Sequence, residues 1–375
     1  MSTLPEKTQA WLPEPLSAEV RSSVERLARV DDVQRIALMP DVHLAENVCV
    51  GAVVASRAGL YPDAVGGDIG CGMASVRLGA HAGIVNRHSA GRILQAFADG
   101  VPTNRHRTKR PLPEALAALR LSTPALQKAL DKSGAVQLGT LGSGNHFLEL
   151  QADEGGTLWL TVHTGSRGLG PAVRQHHLKQ AEAVGGGLRA LRADSDAGRA
   201  YLSDHDAAVL FAELSRRAIL TAAVDALGQL LQVEADWESR VTCSHNFVRR
   251  ETHDGEALWV HRKGAMSARE GEPGIIPGSM GAESFIVSGR GLPGALCSSS
   301  HGAGRALSRG AARQRITVQK LEREMDGVWF DEGMAKRLLD EAPSAYKPIT
   351  AVMRAQKELT RIETRLRPVL SYKGV

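Results

Sequence analysis

The sequence predicts a mixed α/β (α+β) fold: a β-rich core that carries a metal site, flanked by helices, in a single domain over 1–375. Three observations predict this. Two textures alternate along the chain, glycine-punctuated blocks with β-branched or alternating patterns and long blocks with few helix breakers. The residues most like metal ligands lie in the first texture, each in its own glycine-rich turn. They run from Asp68 to His301, so independent domains would separate them, although a length of 375 residues suggests two or three domains as a soft prior.

In chain order, PLSAEVRSSVERLARV is the first predicted helix. RIALMP, GAVVAS and MASVRL are strands of a β-rich block at about 33–80. The Ala/Leu-rich LPEALAALRL region is helical, and FLELQ and LWLTVH are strands of a block at about 134–170. Helices follow after Pro171 and through DHDAAVLFAELSRRAILTAAVDALGQLLQV. ALWVHR and SFIVSG are strands of a block at 240–304; most of 305–367 is read as helix, and the last few residues as β. VPTNRHRTKRPLP is a basic, proline-punctuated loop. Its Arg105, Arg107, Lys109 and Arg110 can contact phosphates, but charge runs are usually solvated surface.

Hydrophobic residues make up 43% of the chain and aromatics 4%, so the core is large and aliphatic. The net charge of +5 and pI near 9.1 are compatible with a phosphate-bearing partner and weak as evidence for nucleic acid alone. Four cysteines without CxxC spacing suit a reduced, cytoplasmic protein. The N-terminus has no signal-like apolar core, and no run approaches the roughly 20 apolar residues of a membrane span.

Asp68 and Cys71 are spaced i, i+3 in AVGGDIGCGM. His146 closes GTLGSGNH, His163 opens HTGSRGLG, and His245 lies in CSHNFVRRE. A carboxylate, a thiolate and three imidazoles suit one or two borderline divalent ions. A lone buried cysteine is more often a small hydrophobe. Here an aspartate three residues away and glycines on both sides favour a ligand, and a thiolate beside two cations can bridge them. The histidines share a format, a strand running into a His and a turn. A further turn, SSSHGAGRALSRG, offers His301 with Arg305 and Arg309, an anion site beside the metal site. Arg167 and the backbone of HTGSRGLG resemble an anion nest. Asp41 and His43 lie on one face of a strand and can support the site or face a phosphate. His81, His88, His176, His177, His205 and His253 are read as surface or packing residues. No Walker A motif is present, yet Gly278, Ser279 and Gly281 can present N–H groups to a nucleotide.

MPDVHL, AVGGDIGCGM, GTLGSGNHFLEL, HTGSRGLG, HNFVRRE, RKGAMSAR, GIIPGSMGAESFIV, SHGAGR, EAPSAYK and the terminal KG, in that order over nearly the whole chain, resemble the RtcB family of RNA-splicing ligases. The resemblance implies an RtcB-type single domain and not a Rossmann sheet. It implies a GTP- and Mn²⁺-dependent RNA ligase of tRNA splicing or RNA repair, joining 2′,3′-cyclic phosphate or 3′-phosphate ends to 5′-hydroxyl ends. It leaves open an archease-type activator as a partner. By the same resemblance Asp68, Cys71 and His146 hold one Mn²⁺, and Cys71, His163 and His245 hold the second. His301 is the guanylated nucleophile. Asn145, His146, Phe147, Leu148, Glu149, His245, Asn246, Pro277, Gly278, Ser279, Met280, Ser284, His301, Gly302, Ala303, Gly304, Tyr346 and Lys373 match nucleotide-binding positions.

The chain departs from the family pattern where HLGKG is usual and His43-Leu44-Ala45-Glu46-Asn47 stands, and where Pro348 replaces a usual acidic residue after AYK. The first change removes a cation and adds Glu46 near a channel for RNA or phosphate. Two alternatives stay open: a dimetal cyclic phosphodiesterase or phosphatase acting on nucleic-acid ends, and a noncatalytic RNA-binding protein.

Overall fold

The computed structural model describes residues 4–374. All seven predicted strands form, within Val33–His43, Val50–Ser56, Gly72–His81, Phe147–Ala152, Thr157–Thr164, Glu256–Lys263 and Ser284–Gly289. The first predicted helix is Ala18–Ala28, opened by Ser17, whose hydroxyl accepts from the Val20 N–H. The stretch after Pro171 lies in the helix Leu169–Gln180, and the long apolar run lies in the 36-residue helix Asp196–Leu231.

Two predictions need correction. LPEALAALRL contributes only the short helix Glu114–Ala117; the next begins at Pro124, after Thr123 caps it and Ser122 turns to hydrogen-bond Asp204. Between Arg305 and Arg367 there is no long helix but short ones, Arg309–Arg315, Val318–Glu324 and Ile349–Ala355, joined by 3₁₀ turns. Thr360–Lys373 is then a 14-residue strand. Its Arg and Glu content looks helical, yet as a strand it buries Leu366 against Trp159 and Ile286 and, past a bulge between Pro368 and Leu370, turns Leu370 into the main core beside Leu148 and Leu150. The structure also adds a helix at Arg87–Gly100, which packs Ile93 and Phe97 into the main core.

Two sheets dominate. The larger is antiparallel with seven strands, in the spatial order Ala235–Ser244, Gly72–His81, Thr157–Thr164, Phe147–Ala152, Thr360–Lys373, Ser284–Gly289, Pro273–Ile276. The smaller has five, Thr8–Ala10, Val33–His43, Val50–Ser56, Glu256–Lys263 and Asn246–His253, with its first pair parallel. The long helix covers one face of the larger sheet, packing Ile219, Leu220, Ala223 and Leu227 against Leu148, Leu150, Leu160 and Val162. His245 is the single residue between the last strand position of one sheet, Ser244, and the first of the other, Asn246. That junction is where the cleft opens.

Candidate metal centre and nucleotide cleft

Antiparallel pairing explains how distant turns converge. His163 pairs with Met73 on one side and with Phe147 on the other; Ser244 pairs with Gly72. Cys71, His146, His163 and His245 therefore sit at one end of four adjacent strands. The expected format holds for His163 and His245, which end strands, but His146 and Cys71 stand just before strands. The reason is direction, since neighbouring antiparallel strands bring an end beside a beginning.

The Cys71 thiol lies 3.3 Å from His163 Nε2 and 3.5 Å from His146 Nε2. His146 Nε2 lies 3.2 Å from Asp68 Oδ2. Two overlapping triads result, Asp68/Cys71/His146 and Cys71/His163/His245, each with its ligand atoms within 4.8 Å of one another. The donor chemistry fits borderline divalent ions, and the Nδ1 atoms of His146 and His245 are buried without a hydrogen-bond partner. Burial holds His163 and His245 well below the ordinary imidazole range, which favours the neutral ligand form. Without a cation, burial and then Asp68 push the Cys71 thiol well up.

What looked like an anion nest is filled by the protein itself. The Ser166 backbone N–H donates to Asp68 Oδ1 at 2.9 Å, and Arg167 turns away to Thr140 and the Thr103 carbonyl. Asn246 staples the same turn: its amide donates to the Asp68 carbonyl at 3.0 Å and accepts from the Gly264 N–H at 2.8 Å.

Arg216, on the long helix, gave no signal in the sequence. Its buried guanidinium donates to the Gly70 carbonyl at 2.8 Å, the Thr164 carbonyl at 3.2 Å and the Ser244 hydroxyl at 3.1 Å. Those three residues are the chain neighbours of Cys71, His163 and His245. Arg216→Met should weaken metal binding about 10- to 100-fold, the usual cost of losing outer support. It should also lose about 3 kcal/mol of stability from the three hydrogen bonds of a buried charged donor. Metal titration at a temperature where both proteins are folded separates the two effects; unchanged affinity would leave Arg216 a purely structural residue.

Beside the triads lies a cleft of about 280 Å³, lined by His43, Asn145, Phe147, Glu149, Asn246, Pro277, Gly278, Ser279, Met280, His301, Gly302, Ala303, Gly304, Tyr346 and Lys373 among others. Of the predicted nucleotide-site residues, Leu148, Ser284 and His146 do not line it. Leu148 points to the opposite sheet face and into the core, as strand alternation requires. Ser284 is sealed behind Glu149, accepting from Gln151 at 2.9 Å. His146 lies behind Cys71, in the metal triad.

His301 follows the strand Ser298–Ser300, and its ring centroid is 4.6 Å from that of His245. Its Nδ1 is 2.5 Å from Oδ2 of the fully buried Asp41. Gly304 makes that approach possible: at φ +71°, a Cβ there would meet the Asp41 carbonyl at 2.4 Å. Asp41 is thus the partner of His301, while His43 lines the cleft and hydrogen-bonds the Asp41 carbonyl. Lys347 of the AYK motif anchors this strand, donating to the Val42 carbonyl at 2.9 Å and the Pro40 carbonyl at 3.2 Å.

At the other end, Glu149 accepts from Ser371 at 2.8 Å and from Gln151 at 2.9 Å. Burial pushes its carboxyl up to about 7, against the pull of Lys373. Glu341, within EAPSAYK, was given no role from sequence. It gathers Lys373 at 2.9 Å, the Tyr346 hydroxyl at 2.6 Å and Arg305 at 3.1 Å, and although burial opposes it, those partners hold its carboxyl down to about 2. Arg305, which also stacks on Tyr346, is thereby committed to the protein, and Arg309 is the more open arginine.

The departures lie beside the cleft. Glu46 does not line it; its side chain is 80% exposed and 3.6 Å from Arg174. Asn47 takes a left-handed φ of +59° and donates to Asp63. Lys263 grips this turn through the Glu46 and Val48 carbonyls. Pro348 precedes the helix Ile349–Ala355 and occupies its N-cap position. Arg105, Arg107, Lys109 and Arg110 are exposed and away from the cleft. Of the other histidines, His177 is fully buried against Asp204 at 2.7 Å, His205 accepts the Val248 N–H and His253 meets Glu251; all three are packing residues. All four cysteines are free, and among the described residues no helix is long and apolar enough to cross a membrane.

Fold and site together define an α/β protein in which two triads able to hold metal share one thiolate beside an aspartate-held histidine. A sequence model of the family described as "tRNA-splicing ligase RtcB" matches residues 23–122 and 113–374. The chain is 37% identical to the RNA-splicing ligase RtcB of Escherichia coli strain K12 over 391 aligned positions, covering 96% of this chain and 95% of that one. It is 31% identical to the RNA-splicing ligase RtcB2 of another E. coli strain, over 92% and 90% of the two chains. It is 29% identical to the tRNA-splicing ligase RtcB of Thermococcus kodakarensis, over 90% and 87%. The chain belongs to the RtcB family of splicing ligases.

Proposed function

We propose that the chain, acting as one catalytic domain, is a GTP- and Mn²⁺-dependent RNA ligase of tRNA splicing or RNA repair in the cytoplasm. It joins 3′-phosphate or 2′,3′-cyclic phosphate ends to 5′-hydroxyl ends. The observation that carries the reading is the pairing of His301 with buried Asp41 in a cleft that also holds the buried carboxylate of Glu149. A hydrolase needs no such base pocket.

Two Mn²⁺, held by Asp68, Cys71 and His146 and by Cys71, His163 and His245, would supply charge neutralisation for the phosphates. Asp41 accepts the Nδ1 proton of His301, which leaves Nε2 as the nucleophilic lone pair. Nε2 attacks the α-phosphorus of GTP; the bond to pyrophosphate breaks and a phosphoramidate forms. An oxygen of the RNA 3′-phosphate then takes the guanylate and frees the imidazole. The 5′-hydroxyl attacks the activated phosphorus, and GMP leaves. A cyclic end is first opened by water.

Asp41→Asn should keep the fold and lower the guanylation rate about 10²- to 10⁴-fold, because the amide no longer secures the right tautomer. Stopped reactions with labelled GTP measure it, and a rate within twofold of the unsubstituted protein would remove Asp41 from the mechanism.

Glu149 reads the base: a carboxylate accepts from guanine N1–H and N2–H₂ but meets the acceptor N1 of adenine. Glu149→Gln should narrow the preference for GTP over ATP. With a carboxyl near 7, the acceptor is gained as pH rises from about 6 to about 8, so GTP affinity should rise across that window in the unsubstituted protein and less in the Gln variant. The stability sign is opposite. A raised carboxyl pKa contributes stability below the unfolded value of 4.5 and loses it as pH climbs through about 7, so Glu149→Gln should stabilise the free protein at about pH 8 and not at about pH 4. Equal use of ATP by the unsubstituted protein would show that Glu149 does not select guanine.

The covalent intermediate is the direct test. After incubation with GTP and Mn²⁺, mass spectrometry should find one added guanylate, and defined RNA ends should be joined. Metal-dependent opening of cyclic ends with neither guanylation nor joining would instead support the phosphodiesterase reading.

A further inference from the structure

We propose that a second, basic cleft beside the first holds the phosphodiester backbone of the RNA strand, away from its reacting end; the inference rests on the ligase reading above. This cleft, of about 470 Å³, shares Arg309 with the nucleotide cleft. One row of its cations, Arg309 and Arg313, comes from the helix Arg309–Arg315, where i, i+4 spacing puts them on one face. The other, Lys336 and Arg337, ends the 3₁₀ helix Glu332–Arg337.

The carboxylates nearby do not balance these four charges. Glu341 is taken by Lys373, Tyr346 and Arg305. Asp340 is buried and meets both arginines of the helix, Arg313 at 3.2 Å and Arg309 at 3.8 Å. Lys336 has no ion pair or hydrogen bond among the described residues, and Arg337 reaches only the Met334 sulfur at 3.9 Å. Both are exposed. Four cations around one available carboxylate repel one another until an anion enters.

The lining also tells what kind of anion. Beyond the charged side chains it offers only Ser143, Gly144 and Gly374, so no aromatic ring is there for a base to stack on. Cations spread along an open cleft suit a chain of phosphates held independently of sequence. A single terminal phosphate would need one converging site. The contiguity through Arg309 lets one strand run from this cleft into the reacting site.

The test compares the unsubstituted protein with Lys336→Ala/Arg337→Ala and with the triple variant that adds Arg313→Ala. The double variant breaks no ion pair, so it stays informative even if the triple, which releases Asp340, folds poorly. Affinity for a 20-nucleotide single-stranded RNA is read by fluorescence anisotropy over a salt series, and guanylation by GTP is read in parallel. RNA affinity should fall about 10-fold in the double variant, with the salt slope shallower by about 0.7 per lost contact, while guanylation stays within twofold. RNA affinity unchanged with guanylation intact would overturn the proposal and leave the ligase reading standing. Weaker GTP use with RNA affinity unchanged would also overturn it, by making the cleft a nucleotide-phosphate site. Absence of guanylation from the unsubstituted protein would instead strike the ligase reading, whatever the RNA affinities.

Discussion

His301→Ala is expected to abolish covalent guanylation and to lower joining of 3′-phosphate ends by at least about three orders of magnitude, as losing a nucleophile does elsewhere. Metal content should stay near that of the unsubstituted protein, because His301 belongs to neither ligand triad. The adduct should form only with a divalent metal present and only at His301. Its chemistry identifies the atom, since a phosphoramidate is labile in acid and stable in alkali, unlike a serine ester. Lys263 is the competitor to exclude: it lines the same cleft, and burial lowers its ammonium to about 8. Its Nζ is, however, engaged by the Val48 carbonyl at 2.7 Å, which ties it to the turn and away from attack. A label on Lys263, or joining by His301→Ala, would overturn the mechanism.

Cys71→Ala has the second large expected effect. Its sulfur is the one ligand atom common to both triads, so the variant should lose both Mn²⁺, where His146→Ala or His245→Ala should each lose chiefly one. Metal analysis after dialysis reads the stoichiometry without reference to activity. The fold should survive, since Cys71 is 3% exposed and alanine removes one sulfur from a site otherwise held by backbone bonds, Cys71 N–H to the Asp68 carbonyl and His245 N–H to the Cys71 carbonyl. Full metal occupancy in Cys71→Ala would refute the bridging role.

Arg216, Asp41 and Glu341 share a feature that explains why sequence reading undervalued them. None is a ligand or a nucleophile; each acts by holding something else. Arg216 lies in the middle of a helix whose pattern explains it as a helical residue, and only the tertiary contacts show that it binds the neighbours of three candidate ligands. Asp41 was legible as a residue on the same strand face as His43. Its partner, His301, is 260 positions away, and no local pattern encodes that distance.

By itself the sequence determined the α/β class, all seven predicted strands and the residues from which the two candidate triads are built. Local chemistry sufficed there: β-branched alternation specifies strands, and a Cys, Asp or His beside glycines stands out against an aliphatic background. It did not determine where Thr360–Lys373 would go, because an Arg- and Glu-rich segment satisfies helical and strand preferences alike until a neighbouring strand offers its hydrogen bonds. The tertiary structure alone decided that Ser166 would fill the nest with Asp68 and that Leu148 would turn to the core beside a cleft-facing Glu149. It also decided that Arg305 would be committed to Glu341 while Arg309 stayed open. For Asp68 and the arginines the outcome depends on which partner long-range packing brings to a buried polar group, and residues far apart in the chain supply that partner.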